Sequence, residues 1–429
     1  MSLIRSPARA GLLLACGLLA GCFGGNEASR SAVEPGAVPS FAPQKEVSSP
    51  LIADLMARRS ILPGSGPYAD VATAVIRASS GAGQAELRVA RLRAAAQAKN
   101  WVPKIGPDVS LTSLSSIAAG IVLDTAILDN GKRKAERAYA AADVEVAAIT
   151  LASDMNQRVH DGLSYYLAAE RARQQAAVSE KAEARLAEFE RIMAARVEGG
   201  LSDGSERAVV AQKHLEMKAT LAADRQAEAT AMAELAAIAG GPLPGVRGLQ
   251  PLPPDTDAPE PLSVMQTRAE GTRLVAQAES EKSGLLPSLG FDADIGKGGI
   301  SPEINLGGLM RLGDRDVNKA LKSAPELAAR RTADAIEDAN RDIVALRSQI
   351  ATLDSQQAEG DGVLKQTAAN YETFAAQYKA GRRTLLELVS QYDDYARLER
   401  DQVSLKYQAA ALRLQIARDR GVLVDGGRM

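Results

Sequence analysis

The chain has 429 residues, with 51 lysines and arginines against 53 aspartates and glutamates, and a formal net charge of −2. That balance excludes a basic nucleic-acid surface as its main feature. It is 46% hydrophobic but only 3% aromatic, a mixture of mostly Ala, Leu and Val that suits long, closely packed helices better than a globular core.

Residues 1–21 are expected to be a lipoprotein signal peptide. Arg5 and Arg9 form a basic start, and residues 11–19 an apolar run too short to span a bilayer. Leu19-Ala20-Gly21-Cys22 fits the bacterial lipoprotein cleavage box, in which small residues precede a cysteine whose sulfur takes the diacylglycerol. Cys22 is thus the expected lipidation site, and Phe23 after it favours an outer-membrane destination. Of the two cysteines, Cys16 lies in the removed segment, so no disulfide and no cysteine metal site is expected. The only histidines, His160 and His214, sit in helical patterns without a partner motif and read as ordinary helix residues.

Residues 22–69 are rich in Ser, Pro, Gly and Ala and read as an irregular tether with one short helix near 52–59. Helical character then runs over 71–100 and stops at Trp101-Val102-Pro103. Two strand-like runs follow. Val109 and Leu111 alternate with Asp108, Ser110 and Thr112, and residues 121–128 are more continuously apolar. Asp129-Asn130-Gly131 opens a helix running to about Val197, about 100 Å long. Its apolar stripe (Met155, Val159, Tyr166, Leu186, Phe189, Met193) alternates threes and fours, as in a coiled-coil seam. Gly199-Gly200 breaks it, and a further helix covers 203–239. Residues 242–261, with Pro242, Pro244, Pro251, Pro253 and Pro254, form a linker.

The second half reads as a helix over 262–284, a strand pair around Phe291, Ala293 and Ile295 with its return at 304–309, and a long helix over 314–379. Pro325 is expected to kink or restart that helix. Gly381 turns it, and a last helix covers 384–420. The halves share their punctuation. Pro103-Lys104-Ile105-Gly106 is matched by Pro287-Ser288-Leu289-Gly290, Gly199-Gly200 by Gly381, and Gly240-Gly241 by Gly421, all at an offset of about 180 residues. The chain therefore reads as a tandem duplication: a first repeat at 70–241, a second at 262–424, and a tail at 425–429.

In each repeat the short helices together are about as long as the long one, so they fit end to end beside it. The strand hairpin would cap one end of a rod, the glycine turn the other, with the linker at the waist. Four strands cannot close a barrel around a channel, and a membrane-crossing sheet has to close. Several chains must therefore share one barrel.

The chain resembles the TolC-like outer-membrane efflux proteins over about 69–423. Ala126-Ile127-Leu128-Asp129-Asn130-Gly131-Lys132-Arg133 is similar to that family's strand-to-helix junction. Gly200-Leu201 is similar to its first helical tip. Tyr378-Lys379-Ala380-Gly381-Arg382-Arg383-Thr384-Leu385-Leu386-Glu387 is similar to its second. The resemblance implies a mostly α fold with a small β part. Long antiparallel coiled-coil helices form an α-barrel in a homotrimer, and two β-hairpins give four strands per chain to a shared 12-stranded outer-membrane β-barrel. It implies a lipid-anchored protein of the outer membrane with a long periplasmic extension. That protein would be the passive exit duct of a tripartite export system for small molecules, opened at its periplasmic tip. Partners would be two further copies, a periplasmic adaptor (a membrane fusion protein), an inner-membrane transporter and outer-membrane lipid. No enzyme activity, cofactor, metal or nucleic acid is expected.

By position, Glu206 is similar to the family's acid after the first tip, Tyr378 and Arg383 to its latch, and Glu387 to a bore-facing acid, while Ser390 departs from a second one. Gly199, Gly200, Leu201, Gly381 and Arg382 would be the tip residues contacting the adaptor. The plainer alternative is that Glu206, Arg383 and Glu387 are solvated helix-face charges. Trp101 and Phe291 are the main candidates for a thin aromatic girdle. Two other readings stay open: the outer-membrane component of a type I protein secretion system, and a periplasmic coiled-coil lipoprotein with no pore.

Overall fold

A computed structural model describes residues 49–113, 116–253, 259–296, 299–307 and 314–428. The chain divides into two units, 1–47 and 48–429. The first, with the expected signal peptide and Cys22, lies outside the described residues.

The second unit begins with α1 (Pro50–Ala57), capped by the Ser49 hydroxyl, and α2 (Pro67–Arg77), each carrying its proline in the first turn, where the lost N–H has no intrahelical acceptor. The helical run expected over 71–100 is two helices. Ser79-Ser80-Gly81 interrupts it, Gly81 takes φ +70°, and α3 (Ala82–Gln97) follows. A left-handed residue cannot continue a helix, and here the alanine-rich pattern on both sides hid the break.

The sheet is β1 (Lys104–Ser113), β2 (Ser116–Leu128), β3 (Ser288–Gly296) and β4 (Gly299–Gly307), antiparallel throughout in the order β1-β2-β3-β4. Ile121 of β2 pairs with Ile295 of β3, so the two hairpins form one sheet. This sheet does not close on itself: β1 and β4 are its outer edges.

Asn130 (φ +50°) and Gly131 (φ +87°) turn the chain from β2 into α4 (Lys132–Glu198), 67 residues long. After the first tip comes α5 (Gly204–Ala239), then the linker and α6 (Leu262–Gly284). Past β4 lie α7 (Asp314–Lys322) and α8 (Ala324–Lys379), so Pro325 restarts the helix at its first turn. The chain ends in α9 (Leu385–Asp419) and a short 3-10 turn, Gly426–Arg428.

α4 and α8 each follow a strand hairpin and lead into a glycine-turned tip, but their surroundings differ. α4 packs against α2, α3 and α5 of its own repeat and against α6 and α9 of the other. Its buried residues run from Ala135 to Met193. α8 packs against α6, α7 and α9 and buries only Ala324, Ile343 and Leu346.

Two apolar cores lie along α4. The core at the waist includes Tyr68, Val71, Ile149, Leu163, Tyr166, Leu414 and Leu423. Around it the start, the linker and the end of the unit are tied together. The buried Arg58 guanidinium donates to Arg420 O at 2.7 Å and Glu260 O at 2.9 Å, and Ile61 N donates to Val422 O at 2.9 Å. The second core, toward the tips, includes Leu186, Phe189, Met193, Val210, Leu385, Leu388 and Tyr392.

Candidate functional site: the helical tips

Both tips close by the same hydrogen bonds one repeat apart. Leu201 N donates to Arg196 O at 2.7 Å and Gly200 N to Val197 O at 3.0 Å. Arg382 N donates to Gln377 O and Gly381 N to Tyr378 O, both at 2.9 Å. Gly200 and Gly381 each take φ +70°, the left-handed turn that satisfies the last carbonyls of a helix. Gly199 closes α4, and Leu201 is left 70% exposed. Arg382 is exposed as well.

Each tip then caps the next helix. The Asp203 carboxylate accepts from Ser205 N at 2.8 Å and Glu206 N at 2.9 Å. Bonds from the Ser205 hydroxyl and these backbone amides hold its pKa below the ordinary value. Glu206 is half-buried in the first turn of α5. Its counterpart in the second repeat is Glu387, in the first turn of α9. There Thr384 and Glu387 form a capping box: Glu387 Oε2 accepts from Thr384 N at 2.9 Å, and Glu387 N donates to Thr384 Oγ1 at 3.2 Å.

Arg383 is held inside this hairpin. It donates to Glu387 Oε1 at 2.8 Å and to Gln377 Oε1 at 3.0 Å, and its guanidinium lies 4.6 Å from the Phe374 ring centre. The Thr384 amide, then Arg383, lower the Glu387 pKa. In one chain, then, Arg383 and Glu387 come together, Tyr378 packs against the tip core beside them, and Glu206 stands in the other tip. Glu387 turns back to its own helix cap, with both oxygens bonded.

Above the tips an aromatic group joins three helices. Tyr371 of α8 lies 5.1 Å from Tyr392 and stacks on Tyr395, both on α9, while Phe189 of α4 meets Tyr392 edge-on at 5.8 Å. Arg185 of α4 donates to Tyr371 Oη at 3.0 and 3.1 Å. Burial, then the neighbouring Tyr371, pushes the Tyr392 hydroxyl up to about 12.

Two carboxylates that the sequence did not single out are buried ties between helices. Asp393 of α9 takes Lys213 of α5 at 2.6 Å and Arg397 at 3.1 Å. Asp224 of α5 takes the Ser179 hydroxyl of α4 at 2.8 Å and the Arg400 guanidinium of α9. His214, read as an ordinary helix residue, bridges two acids of α4: Nδ1 meets Glu190 at 2.5 Å and Nε2 meets Glu183 at 3.0 Å. Burial works against its charge, but the two carboxylates outweigh burial and raise its pKa. No sequence signal marked these ties, because their partners lie on other helices. Among the described residues no group of side chains is suited to hold a metal ion, and no helix is long and apolar enough to cross a membrane.

No family model and no curated relative matches the chain. Solved structures do. CusC, described as forming a transmembrane channel, superposes with a TM-score of 0.73 at 11% identity over 84% of this chain and 96% of its own. The outer-membrane protein VceC of Vibrio cholerae gives 0.70 at 13% identity over 82% and 96%. The open state of the Neisseria gonorrhoeae outer-membrane channel MtrE gives 0.70 at 12% identity over 92% and 97%. With its doubled helix–hairpin–helix plan, two glycine-turned tips and an open four-stranded sheet, this chain has the fold of the TolC-like outer-membrane channels.

Proposed function

We propose that three copies of this chain, anchored through Cys22, form an outer-membrane exit duct. The unequal surroundings of α4 and α8 carry the proposal. α8 has α6 and α9 beside it, as α4 does, but no counterpart of α3 and α5. α8 exposes Leu327, Ile336, Val344 and Val363, and α3 and α5 expose Val89, Leu92, Val209 and Leu215. Seating one copy's α3 and α5 on the next copy's α8 supplies what the duplication lacks. Such a head-to-tail contact either closes a ring or grows a filament, and the strands favour the ring. The free edges β1 and β4 pair between copies, and three sheets of four strands make the 12-stranded barrel that a bilayer requires.

The tips then converge at the far end of a helical tunnel. Substrates pass without chemistry from an inner-membrane transporter, with a periplasmic adaptor seated on residues 199–201 and 381–382. The resting tip is held by Arg383, Tyr378, Glu206 and Glu387, weak, partly exposed links that adaptor binding can overcome. Single-channel recording of the detergent-extracted, full-length protein in planar bilayers is the test. Ion conductance together with a heat-sensitive trimer band is expected; a stable monomer without conductance overturns the duct and leaves the spacer reading.

A further inference from the structure

Where α3 passes into β1 and β2 into α4, the surface is apolar and cationic together. Trp101, Val102, Ile105 and Leu128 are exposed, Trp101 by 67%. Asn100 holds the two segments side by side: its Nδ2 donates to Arg133 O at 3.1 Å, and its Oδ1 accepts from Arg137 at 2.6 Å. Around them Lys99, Lys132 and Lys134 are exposed and make no ion pair among the described residues. The nearby acids are engaged elsewhere, Asp129 with Gly131 N and Arg133, and Glu136 with Asn100.

Helix stability does not explain these cations. Lys132, Arg133 and Lys134 fill the first turn of α4, which holds no acid, and the positive end of a helix disfavours them. The described residues of the second half do not repeat the feature. There Lys282 stands beside Glu279 and Glu281, and Lys319 pairs with Asp316. An exposed indole beside uncompensated lysines suits an apolar layer bordered by anionic groups, where the ring sits at the boundary and the lysine stems reach outward.

We propose that this junction is a docking surface for anionic phospholipid, one per copy, with Trp101 at headgroup level and Lys99, Lys132 and Lys134 facing the phosphates. It rests on the reading above that the strands enter a membrane. The patch continues directly into β1 and β2, which sets it at the leaflet facing the helices.

Trp101 is the only tryptophan in the chain, so its fluorescence reports this place alone. The full-length acylated protein is reconstituted in phosphatidylcholine vesicles containing brominated phosphatidylglycerol or brominated phosphatidylcholine. Half-maximal quenching is expected at about fivefold lower mole fraction of the anionic lipid at low salt. The preference should vanish in Lys99→Gln/Lys132→Gln/Lys134→Gln and persist when the same lysines become arginine. No quenching by either lipid, equal quenching by both, or a preference kept by the glutamine variant overturns the proposal. Conductance is recorded from the same preparations. Normal conductance without a lipid preference removes the docking surface and leaves the duct; a preference without conductance removes the duct and leaves a membrane-inserted sheet.

Discussion

Arg383 donates to Glu387 across 2.8 Å within a single hairpin, and the same carboxylate closes the helix cap on Thr384. Any latch to a neighbouring copy must therefore compete with a bond Arg383 already has. Arg383→Ser is expected to loosen the closed tip and raise single-channel conductance; an unchanged conductance removes Arg383 from the latch. Thr384→Ala keeps Arg383 but costs the cap about 1 kcal/mol. It should lower the melting temperature with a smaller change in conductance.

His214 gives a pH dependence of definite sign. Its pKa is raised above the ordinary 6.5, so its stabilising contribution is full below pH 6.5 and lost as pH rises through the raised value. The difference in thermal stability between the wild type and His214→Gln should be largest in mild acid and shrink on the alkaline side. A difference independent of pH would show that the ring does not bind its proton between the two acids.

The ties between α5 and α9 are stability elements. Asp224→Ala leaves the partly buried Arg400 without its carboxylate and Ser179 without its acceptor. A loss of about 3 kcal/mol is expected, the low end for a broken buried pair because Arg400 keeps some solvent. Denaturant unfolding of the detergent-solubilised protein checks this. A cost as small as that of an exposed pair refutes the assignment.

The proposed contact between copies should be separable from the fold of each copy. Val344→Glu on α8, or Leu92→Glu on α3, places a charge on an apolar surface exposed in the single chain. The helix content of each copy should stay the same while the trimer band is lost. A trimer surviving both changes places the contact elsewhere.

Cys22→Ser should abolish acylation. Palmitate labelling that continues in this variant would move the anchor.

The helices and strands were legible because breakers mark them. Proline at a first turn and glycine at φ +70° act through the local backbone, and they work whatever surrounds them. The break at Ser79–Gly81 was missed because helix-forming alanine resumes directly beyond it. The site was less legible. The sequence carries Thr384 and Glu387 at capping-box spacing, but not the fact that Arg383 would share that carboxylate. Asp224, Asp393 and His214 could not be told from surface charges, because their partners lie on other helices, 176 to 180 residues away for Arg400 and Lys213 and on α4 for His214. Pairing across such distances is set by how the two repeats fold over one another.

The two outer sheet edges, β1 and β4, bear on how the proposed assembly would form. A lone copy offers unpaired backbone groups along both edges and cannot place them in hydrocarbon. In the proposed duct, insertion would therefore have to follow or accompany the meeting of copies. An acyl chain at Cys22, as proposed, would raise local concentration at a membrane surface and turn that encounter from a search through volume into one across a plane.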